Sequence, residues 1–158
     1  MIMIINFNIR GNPMTAKEIF DNYLIKKNLR ETPQRGMILD AFLKREEHIN
    51  AEQLYDIVKK RDPSVGQATV YRVLRLIVEA GLAREVDFGD GVMRYEHCFN
   101  HPHHDHLVCK GCGKTVEVMD SVIEELQKRV AENFGFELTD HEMYLYGNCA
   151  DCRKKSRV

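Results

Sequence analysis

Residues 67–96 read QATVYRVLRLIVEAGLAREVDFGDGVMRYE, and this stretch decides the fold of the first half of the chain. Its apolar residues recur every three or four positions at the start, which predicts an amphipathic helix over 67–80. Gly81 stands where a helix C-cap belongs. Two short strands, over 82–87 and 92–96, are predicted to follow on either side of the turn FGDG.

Three further helices are predicted upstream, each from a capping residue followed by apolar positions at helical spacing. They cover residues 16–29, residues 33–44 and a short segment that starts at the Asn50 cap and ends near Arg61. Residues 1–13 show no periodic pattern and are interpreted as an N-terminal extension. Helices followed by a hairpin are the order of a winged helix-turn-helix, which we assign to residues 14–97.

Residues 98–158 are predicted to form a second, smaller domain of mixed helix and strand. Its expected elements are a strand that ends at Cys109, a strand over 115–119, a helix over 120–133 and an alternating strand over 136–146. About sixty residues bury too little apolar surface to rely on a core alone. The fold class is therefore α+β, a winged helix-turn-helix followed by a small α/β domain that needs an additional source of stability.

Composition excludes several classes of protein. The chain has 158 residues, of which 44% are hydrophobic and 30% charged, with a formal net charge of −1. No apolar run approaches the ~20 residues that span a bilayer, and the N-terminus lacks the features of a signal peptide. We therefore expect a cytoplasmic protein with no membrane partner, whose nucleic-acid surface, if it has one, comes from local clustering of charge.

All five cysteines and six of the seven histidines lie from His97 onward. The segments CKGC at 109–112 and CADC at 149–152 are two C-x-x-C pairs separated by 36 residues. Two such pairs supply four thiolates for a tetrahedral zinc site, and because its four-cysteine shell is closed to substrate, the predicted Zn²⁺ is structural. A disulfide or a redox site is the alternative, but the doubled motif favours zinc.

Imidazoles and carboxylates are concentrated in the segment HPHHDH at 101–106. On an extended segment His104 and His106 face one side while His103 and Asp105 face the other, so two metal sites can share one strand. Imidazole with carboxylate suits Fe²⁺, Zn²⁺, Mn²⁺ or Co²⁺, and solvated surface histidines are the simpler alternative. The segment also matches the H-x-H-x-D-H of metallo-β-lactamase-type hydrolases, but only His141 follows, so the later ligands of that fold are missing.

The outward face of the helix over 67–80 carries the side chains of a DNA reader. They are Gln67, Tyr71, Arg72 and Arg75. Arginine can bond phosphate or guanine, glutamine can read adenine, and tyrosine can pack on a thymine methyl group. Arg35 and Lys17, near the starts of other helices, are candidate phosphate contacts. An ordinary solvated amphipathic helix is the alternative.

Five motifs occur together in one order along the chain: TPQR at 32–35, ATVYR at 68–72, HHDHLVC at 103–109, GK at 113–114 and Y-x-Y-G at 144–147. In this combination the chain resembles the ferric uptake regulator family of bacterial metal-dependent repressors, from Thr15 to Arg153. The resemblance implies a homodimer whose N-terminal winged helices bind palindromic double-stranded operator DNA and whose C-terminal halves dimerise. Whether dimers pair into tetramers is left open.

The resemblance also assigns ligands, residue by residue, to three metal sites. The structural zinc falls on Cys109, Cys112, Cys149 and Cys152. The regulatory metal falls on His48, Glu96, His104, His106 and Glu117. An additional metal falls on His103, Asp105, Glu124 and His141. Tyr71 and Arg72 match the DNA-reading positions, and His48, the only histidine of the first half, would join the two domains through the regulatory metal.

Within the family, the peroxide-sensing branch carries aspartates where Glu96 and Glu117 stand, which favours the iron-sensing branch. The segment from Glu96 to His104 is one residue longer than usual, so His97 or Cys98 in place of Glu96 stays an alternative, and Cys98 keeps a zinc sensor open. The sequence thus predicts a repressor of iron-uptake and homeostasis genes that responds to Fe²⁺, replaceable by Mn²⁺, Co²⁺ or Zn²⁺. A zinc- or peroxide-sensing regulator is the alternative within the family, and a metallohydrolase the alternative outside it.

Overall fold

The computed structural model describes residues 13–45, 47–100 and 103–155. Contacts between residues separate these into two compact units, one within 13–100 and the other within 103–155. The domain bounds expected from the sequence stay predictions, and the expected N-terminal extension lies outside the described residues except for Pro13. Among the described residues, no helix combines the length and the apolar character that crossing a bilayer would require.

The first unit contains the four predicted helices. They are α1 (Ala16–Lys26), α2 (Pro33–Leu43), α3 (Ala51–Arg61) and α4 (Gln67–Glu79). Helix α1 begins with a capping box in which Thr15 accepts from the backbone of Glu18 and the Glu18 carboxylate accepts from Thr15. It ends three residues before the predicted end at residue 29, because Asn28 adopts a left-handed conformation with φ of 55°.

A three-stranded antiparallel sheet completes the first unit. Its strands are β1 (Ile49–Asn50), β2 (Ala83–Asp87) and β3 (Met93–His97), in the order β1-β3-β2. Gly81, with φ of 73°, ends α4 as predicted and turns the chain into β2. Strand β1 was not predicted, because two residues are too short to show a period. Its pairing of Ile49 with Tyr95 brings the preceding His48 beside β3.

The four helices pack their apolar faces into one core. The largest fully buried apolar side chains are Phe20, Leu24, Ile38, Phe42, Leu54, Val58, Val65, Val70, Leu74, Ile77 and Leu82. Helix α4 contributes Val70, Leu74 and Ile77 at helical spacing, so its opposite face is held outward by the packing of the core. The predicted orientation of this helix is confirmed.

The second unit is a small mixed sheet with two helices. Its elements are β4 (Asp105–Cys109), β5 (Thr115–Val118), α5 (Ser121–Asn133), β6 (Tyr144–Gly147) and α6 (Ala150–Lys155). Strand β4 is central, antiparallel to β5 and parallel to β6. Together the two units have the predicted α+β fold, a helical unit with a hairpin followed by a sheet with helices.

The predicted strand over 136–146 was wrong for residues 136–143, which are not in a strand. Pairing with β4 begins only where the His106 backbone N–H donates to the Met143 backbone oxygen at 3.0 Å, beside the first ladder pair of His106 with Tyr144. The backbone N–H of Met143 instead donates to the Asp105 carboxylate at 3.2 Å. Phe136 and Leu138 are exposed, with 71% and 38% of their surfaces accessible, so the alternation of apolar residues here reflects neither strand pairing nor burial.

The second unit has a very small core. Among residues 103–155, Val108 and Cys109 are the only apolar residues that the structure buries, with 5% and 6% of their surfaces still accessible. Helix α5 has no buried residue in the described chain. Packing alone therefore offers this unit little stability, as its length predicted.

Candidate metal centres and nucleic-acid interface

The four cysteines of the two C-x-x-C pairs converge at one end of the second unit. Cys109 ends β4, Cys112 lies in the turn after it, and Cys149 and Cys152 flank the start of α6. The four sulfur atoms all lie within 4.8 Å of one another, and those of Cys112 and Cys149 are 3.8 Å apart. Tetrahedral zinc with Zn–S bonds of ~2.3 Å places sulfurs about 3.8 Å apart. The arrangement therefore fits a Zn²⁺ ion.

The surroundings of the cysteine cluster shift the pKa values of two of its thiols in opposite directions. All five cysteines lie in the described residues, and none is in a disulfide. The backbone N–H of Cys149, 3.2 Å from the Cys109 sulfur, is the main cause that lowers the pKa of the Cys109 thiol to about 6. Bonds to the other three thiols raise the pKa of Cys152. Binding of Zn²⁺ to these sulfurs would release the protons that the thiols still carry.

A second cluster within this unit joins β4, α5 and the segment before β6. It consists of His103, Asp105, Glu124 and His141, whose ligand atoms lie within 4.8 Å of one another. His141 Nε2 is 3.4 Å and His103 Nε2 is 3.6 Å from the same oxygen, Glu124 Oε1. Asp105 Oδ1 lies 3.7 Å from His103 Nε2. Two imidazoles thus face two carboxylates at distances beyond hydrogen bonding.

In the described chain, three polar atoms of this cluster are buried without the hydrogen-bond partners that buried polar atoms normally have. His103 Nε2, His141 Nε2 and Glu124 Oε1 are buried and have no hydrogen bond among the described residues. Buried polar atoms are costly unless they are bonded, and an ion between them would satisfy all three. Burial, aided by the nearby His141, lowers the pKa of His103 and keeps it in the neutral, metal-binding form. The donor set fits Zn²⁺, Fe²⁺ or Mn²⁺.

Exchange of Glu124 for glutamine tests this second cluster. We expect Glu124→Gln to weaken binding of one exchangeable Zn²⁺ per chain by at least about tenfold, because a neutral amide oxygen is a poorer ligand than a carboxylate. Equilibrium dialysis with metal analysis measures the change. Glu125→Gln, on the exposed neighbouring position of α5, is the matched control and should bind as the wild type does. Equal binding by both variants would contradict the assignment.

The predicted regulatory ligands of the first unit form a pair. His48 precedes β1 and Glu96 lies in β3, with His48 Nε2 3.6 Å from Glu96 Oε2. Two ligands that bind one ion at ~2.1 Å lie about 3.0–3.5 Å apart, so the separation suits a shared cation. The Arg84 guanidinium donates to the same Glu96 oxygen at 2.8 Å. The His48 ring packs edge-on against Phe88, with centroids 5.1 Å apart.

The predicted regulatory ligands of the second unit lie on one face of its sheet. His104 and His106 have ring centroids 4.9 Å apart, and Glu117 pairs with His106 across β4 and β5. His104 Nε2 is 3.8 Å from Glu117 Oε1. The His106 ring stacks on Tyr144 at 5.3 Å, with the planes inclined by 10°. Residues 104 and 106 therefore share a side, while 103 and 105 belong to the other cluster.

His97 and Cys98, the alternatives to Glu96, have different surroundings. The His97 ring meets Phe42 edge-on, with centroids 6.4 Å apart, on the side of β3 opposite to Glu96. The Cys98 sulfur lies 3.9 Å from the Glu96 backbone oxygen. His101, in the sequence motif of the hydrolase alternative, lies outside the described residues.

The outward face of α4 carries the four predicted DNA-reading residues. Gln67, Tyr71, Arg72 and Arg75 are all exposed. The Arg75 guanidinium is engaged with Glu79 one turn later, at 3.1 Å. Gly66 precedes the helix without a side-chain cap, so the first N–H groups of α4 are available to an anion.

Arg35 and Lys17 are less suited to bind phosphate than their positions suggested. Arg35 is half-buried, and its guanidinium bonds the backbone oxygen of Arg30. The Lys17 ammonium bonds Asp21 at 2.8 Å and Glu31 at 2.6 Å. Both cations already have partners in the first unit.

Sequence reasoning missed two side chains of the His48–Glu96 pair, namely Arg84 and Phe88. Neither belongs to a metal-ligand residue type, so motif spacing could not identify them. The only available signal was the predicted hairpin, because antiparallel pairing of its two strands places one residue of the first opposite Glu96. The observed register makes that residue Arg84.

Comparison with known proteins gives consistent matches. The sequence model of the Ferric uptake regulator family matches residues 26–146. The chain is 41% identical to the ferric uptake regulation protein of Campylobacter jejuni over 144 residues, covering 89% of this chain and 91% of that protein. It is similar to the crystal structure of the Vibrio cholerae ferric uptake regulator, with TM-score 0.68, 40% identity and coverage of 82% of this chain and 98% of that one. A zinc-bound manganese uptake regulator matches with TM-score 0.62, 36% identity and coverage of 83% and 98%.

Proposed function

Because the chain belongs to the ferric uptake regulator family, we propose that it is an iron-responsive repressor of iron-uptake and homeostasis genes. The family consists of metal-binding transcriptional regulators that bind DNA, not of enzymes, which removes the metallohydrolase alternative. Its place of action would be the cytoplasm, where operator DNA is found. The relatives include regulators named for iron and for manganese, so the choice of Fe²⁺ is part of the proposal.

One observation carries the proposal. The unit with the exposed reading helix also holds a histidine and a buried carboxylate, His48 and Glu96, at a separation that suits two ligands of one cation. A metal bound there would act directly on the unit that reads DNA. We propose that His104, His106 and Glu117 supply the remaining ligands.

The proposed mechanism is a linkage between metal and DNA. A divalent ion supplies a compact positive charge that several imidazole and carboxylate ligands can share. Ligands from both units then favour one arrangement of the reading helices in a dimer, and operator DNA favours the same arrangement. Metal and operator therefore strengthen each other's binding by the same factor.

Glu96 is the preferred ligand over His97 and Cys98. Its carboxylate faces His48, whereas the His97 ring packs on Phe42 at the other side of β3. The remaining candidate function, zinc sensing, is favoured by the presence of Cys98 two residues further on. Persistence of the full metal response in Cys98→Ser would exclude a role for this thiol.

We assign Zn²⁺ to the four cysteines and an additional divalent ion to the cluster of His103, Asp105, Glu124 and His141. The 3.8 Å separation of the Cys112 and Cys149 sulfurs supports the first assignment. The unbonded buried atoms described above support the second. Mild chelation should therefore leave about one zinc per chain while removing the more accessible ions.

Homodimerisation is proposed through the second unit. Helix α5 exposes Val122, Leu126 and Val130 at a spacing of four, with 65%, 48% and 56% of their surfaces accessible. The sheet adds exposed Leu107, Val116 and Leu145, which line a cavity of about 210 Å³. Such exposed apolar surface on a small unit marks a protein interface, and a second copy fits a palindromic operator.

Substitution of Arg72 tests DNA reading by α4. We expect Arg72→Ala to weaken binding of the metal-loaded protein to operator DNA by about 5–150-fold, the range for loss of an arginine that contacts a base. Arg75→Ala is the matched control on the same face, and its effect should be smaller because Arg75 is paired with Glu79. Fluorescence anisotropy with a labelled operator duplex at fixed ionic strength measures both. Equal affinities of Arg72→Ala and the wild type would contradict the proposal.

The choice of metal is tested by the same titration with each ion. Zinc-replete protein is titrated with the operator under anaerobic conditions in the presence of Fe²⁺, Mn²⁺, Co²⁺ or Zn²⁺. The proposal predicts tighter binding with Fe²⁺ and with Mn²⁺. A response to Zn²⁺ alone would establish the zinc-sensing alternative, and irreversible loss of DNA binding after peroxide in the Fe²⁺ form would favour the peroxide-sensing one.

A further inference from the structure

Arg84 bonds a predicted metal ligand without being a ligand itself. In the antiparallel pairing of β2 with β3, Arg84 lies opposite Glu96, and its Nε donates to Glu96 Oε2 at 2.8 Å. The Glu96 side chain is only 5% exposed. Because a buried carboxylate is costly without a counter-charge, the guanidinium stabilises Glu96 when no metal is bound.

The same carboxylate oxygen faces His48. Glu96 Oε2 lies 2.8 Å from Arg84 Nε and 3.6 Å from His48 Nε2. A cation held by His48 and Glu96 would therefore share the Glu96 carboxylate with the permanent positive charge of Arg84. Arginine keeps its charge at any physiological pH, so the guanidinium cannot lose a proton to make way.

We propose that Arg84 is an internal competitor of the regulatory metal and sets the threshold at which the protein responds. This inference rests on the proposed function, in which His48 and Glu96 are metal ligands. The guanidinium compensates Glu96 in the metal-free protein, and its charge repels the incoming divalent ion. Arg84 thus lowers metal affinity, so that only a raised metal concentration loads the site.

The surroundings of His48 make this effect separable from a loss of structure. The His48 ring is held edge-on by Phe88, and Phe88 in turn lies under the guanidinium of Arg94, 5.3 Å from its ring centre. Arg94 is fixed by Asp90 at 2.6 Å. Removing the charge of Arg84 therefore leaves the contacts that orient His48 in place.

The test is a Mn²⁺ titration of the full-length, zinc-replete protein in competition with a fluorescent chelator and without DNA. In Arg84→Gln an amide can still donate to Glu96, but the charge is gone. We expect its His48-dependent Mn²⁺ site to bind about 10–100-fold more tightly than the wild type. Neutral groups that bond a metal ligand usually change affinity by this factor in the opposite direction, but here the group removed carries a positive charge that repels the ion. Arg84→Met should also bind more tightly, while Arg84→Lys, which keeps the charge, should stay close to the wild type.

Two further variants complete the experiment. Glu85→Gln, the exposed neighbour on the other face of β2, should leave Mn²⁺ affinity unchanged. His48→Ala is made both alone and together with Arg84→Gln. The Mn²⁺ equivalent that this substitution removes is the one bound at the site of His48 and Glu96. If no equivalent depends on His48, the proposed regulatory site fails; if one does but neither Arg84→Gln nor Arg84→Met tightens it, the competitor role of Arg84 fails. If Arg84→Gln and Arg84→Met both failed to fold even when zinc was supplied, Arg84 would be structural and the inference would be overturned.

Discussion

Exchange of Cys112 for serine is expected to release the structural zinc and unfold the second unit. The reason is the small core of residues 103–155, where Val108 and Cys109 are the only buried apolar residues described. Structural Zn²⁺ contributes about 10–16 kcal/mol of apparent binding free energy in zinc-finger peptides at neutral pH, comparable to the whole stability of a domain. A Zn²⁺ ion held by the four cysteines would therefore supply most of the stability of this unit when it is not dimerised.

Three measurements follow the Cys112→Ser variant. Zinc content should fall from about one per chain, the far-UV circular dichroism of the sheet should diminish, and the proposed dimer should dissociate in analytical ultracentrifugation. Cys98→Ser is the matched control, since this cysteine lies outside the four-cysteine cluster and should keep both zinc and fold. A Cys112→Ser protein with full zinc content and an unchanged thermal transition would show that the four thiols do not hold a structural ion.

Exchange of His48 for alanine is expected to abolish the effect of metal on operator binding while sparing the structural zinc. His48 is the only histidine before residue 97, and its ring is placed beside Glu96 by β1 and Phe88. Allosteric coupling between two ligands commonly amounts to about 5–150-fold in affinity. In the variant, metal should no longer change the affinity for the operator, because the first unit has lost one of its two proposed metal ligands.

Operator titrations with and without Mn²⁺ measure this coupling directly. Glu47→Gln, an exposed neighbour of His48, serves as the control and should retain the full response. Zinc analysis of His48→Ala should still find about one ion per chain, which separates loss of regulation from loss of fold. A normal Mn²⁺ response of His48→Ala would refute the regulatory assignment.

The assignments that sequence could make rest on short-range rules. The Thr15 and Asn50 caps and the spacing of Val70, Leu74 and Ile77 involve residues within a few turns of helix, so their structures follow from nearby residues. Gly81 was expected to end α4 and does so. The alternation around residue 104 likewise depends only on the two-residue period of an extended chain.

Most of the errors and omissions concern pairing between distant segments; the exceptions are the end of α1, which Asn28 sets locally, and helix α6, which was not predicted. Residues 136–143 alternate like a strand, but the ladder with β4 begins only with the pair of His106 and Tyr144. Strand β1 has only two residues and exists because Ile49 finds Tyr95. Neither outcome could be read from the residues themselves, since strand formation depends on an available edge.

By itself the sequence determined which residue types were available: four paired thiols, two sets of imidazole with carboxylate, and a helix with a polar face for DNA. Only the tertiary structure decided that Arg84 stands opposite Glu96 and that Phe88 packs against the His48 ring. The physical reason is the distance along the chain over which each kind of interaction acts. Side-chain direction repeats every 2 or 3.6 residues along the chain, whereas register and long-range contacts come from the packing of segments that the sequence separates.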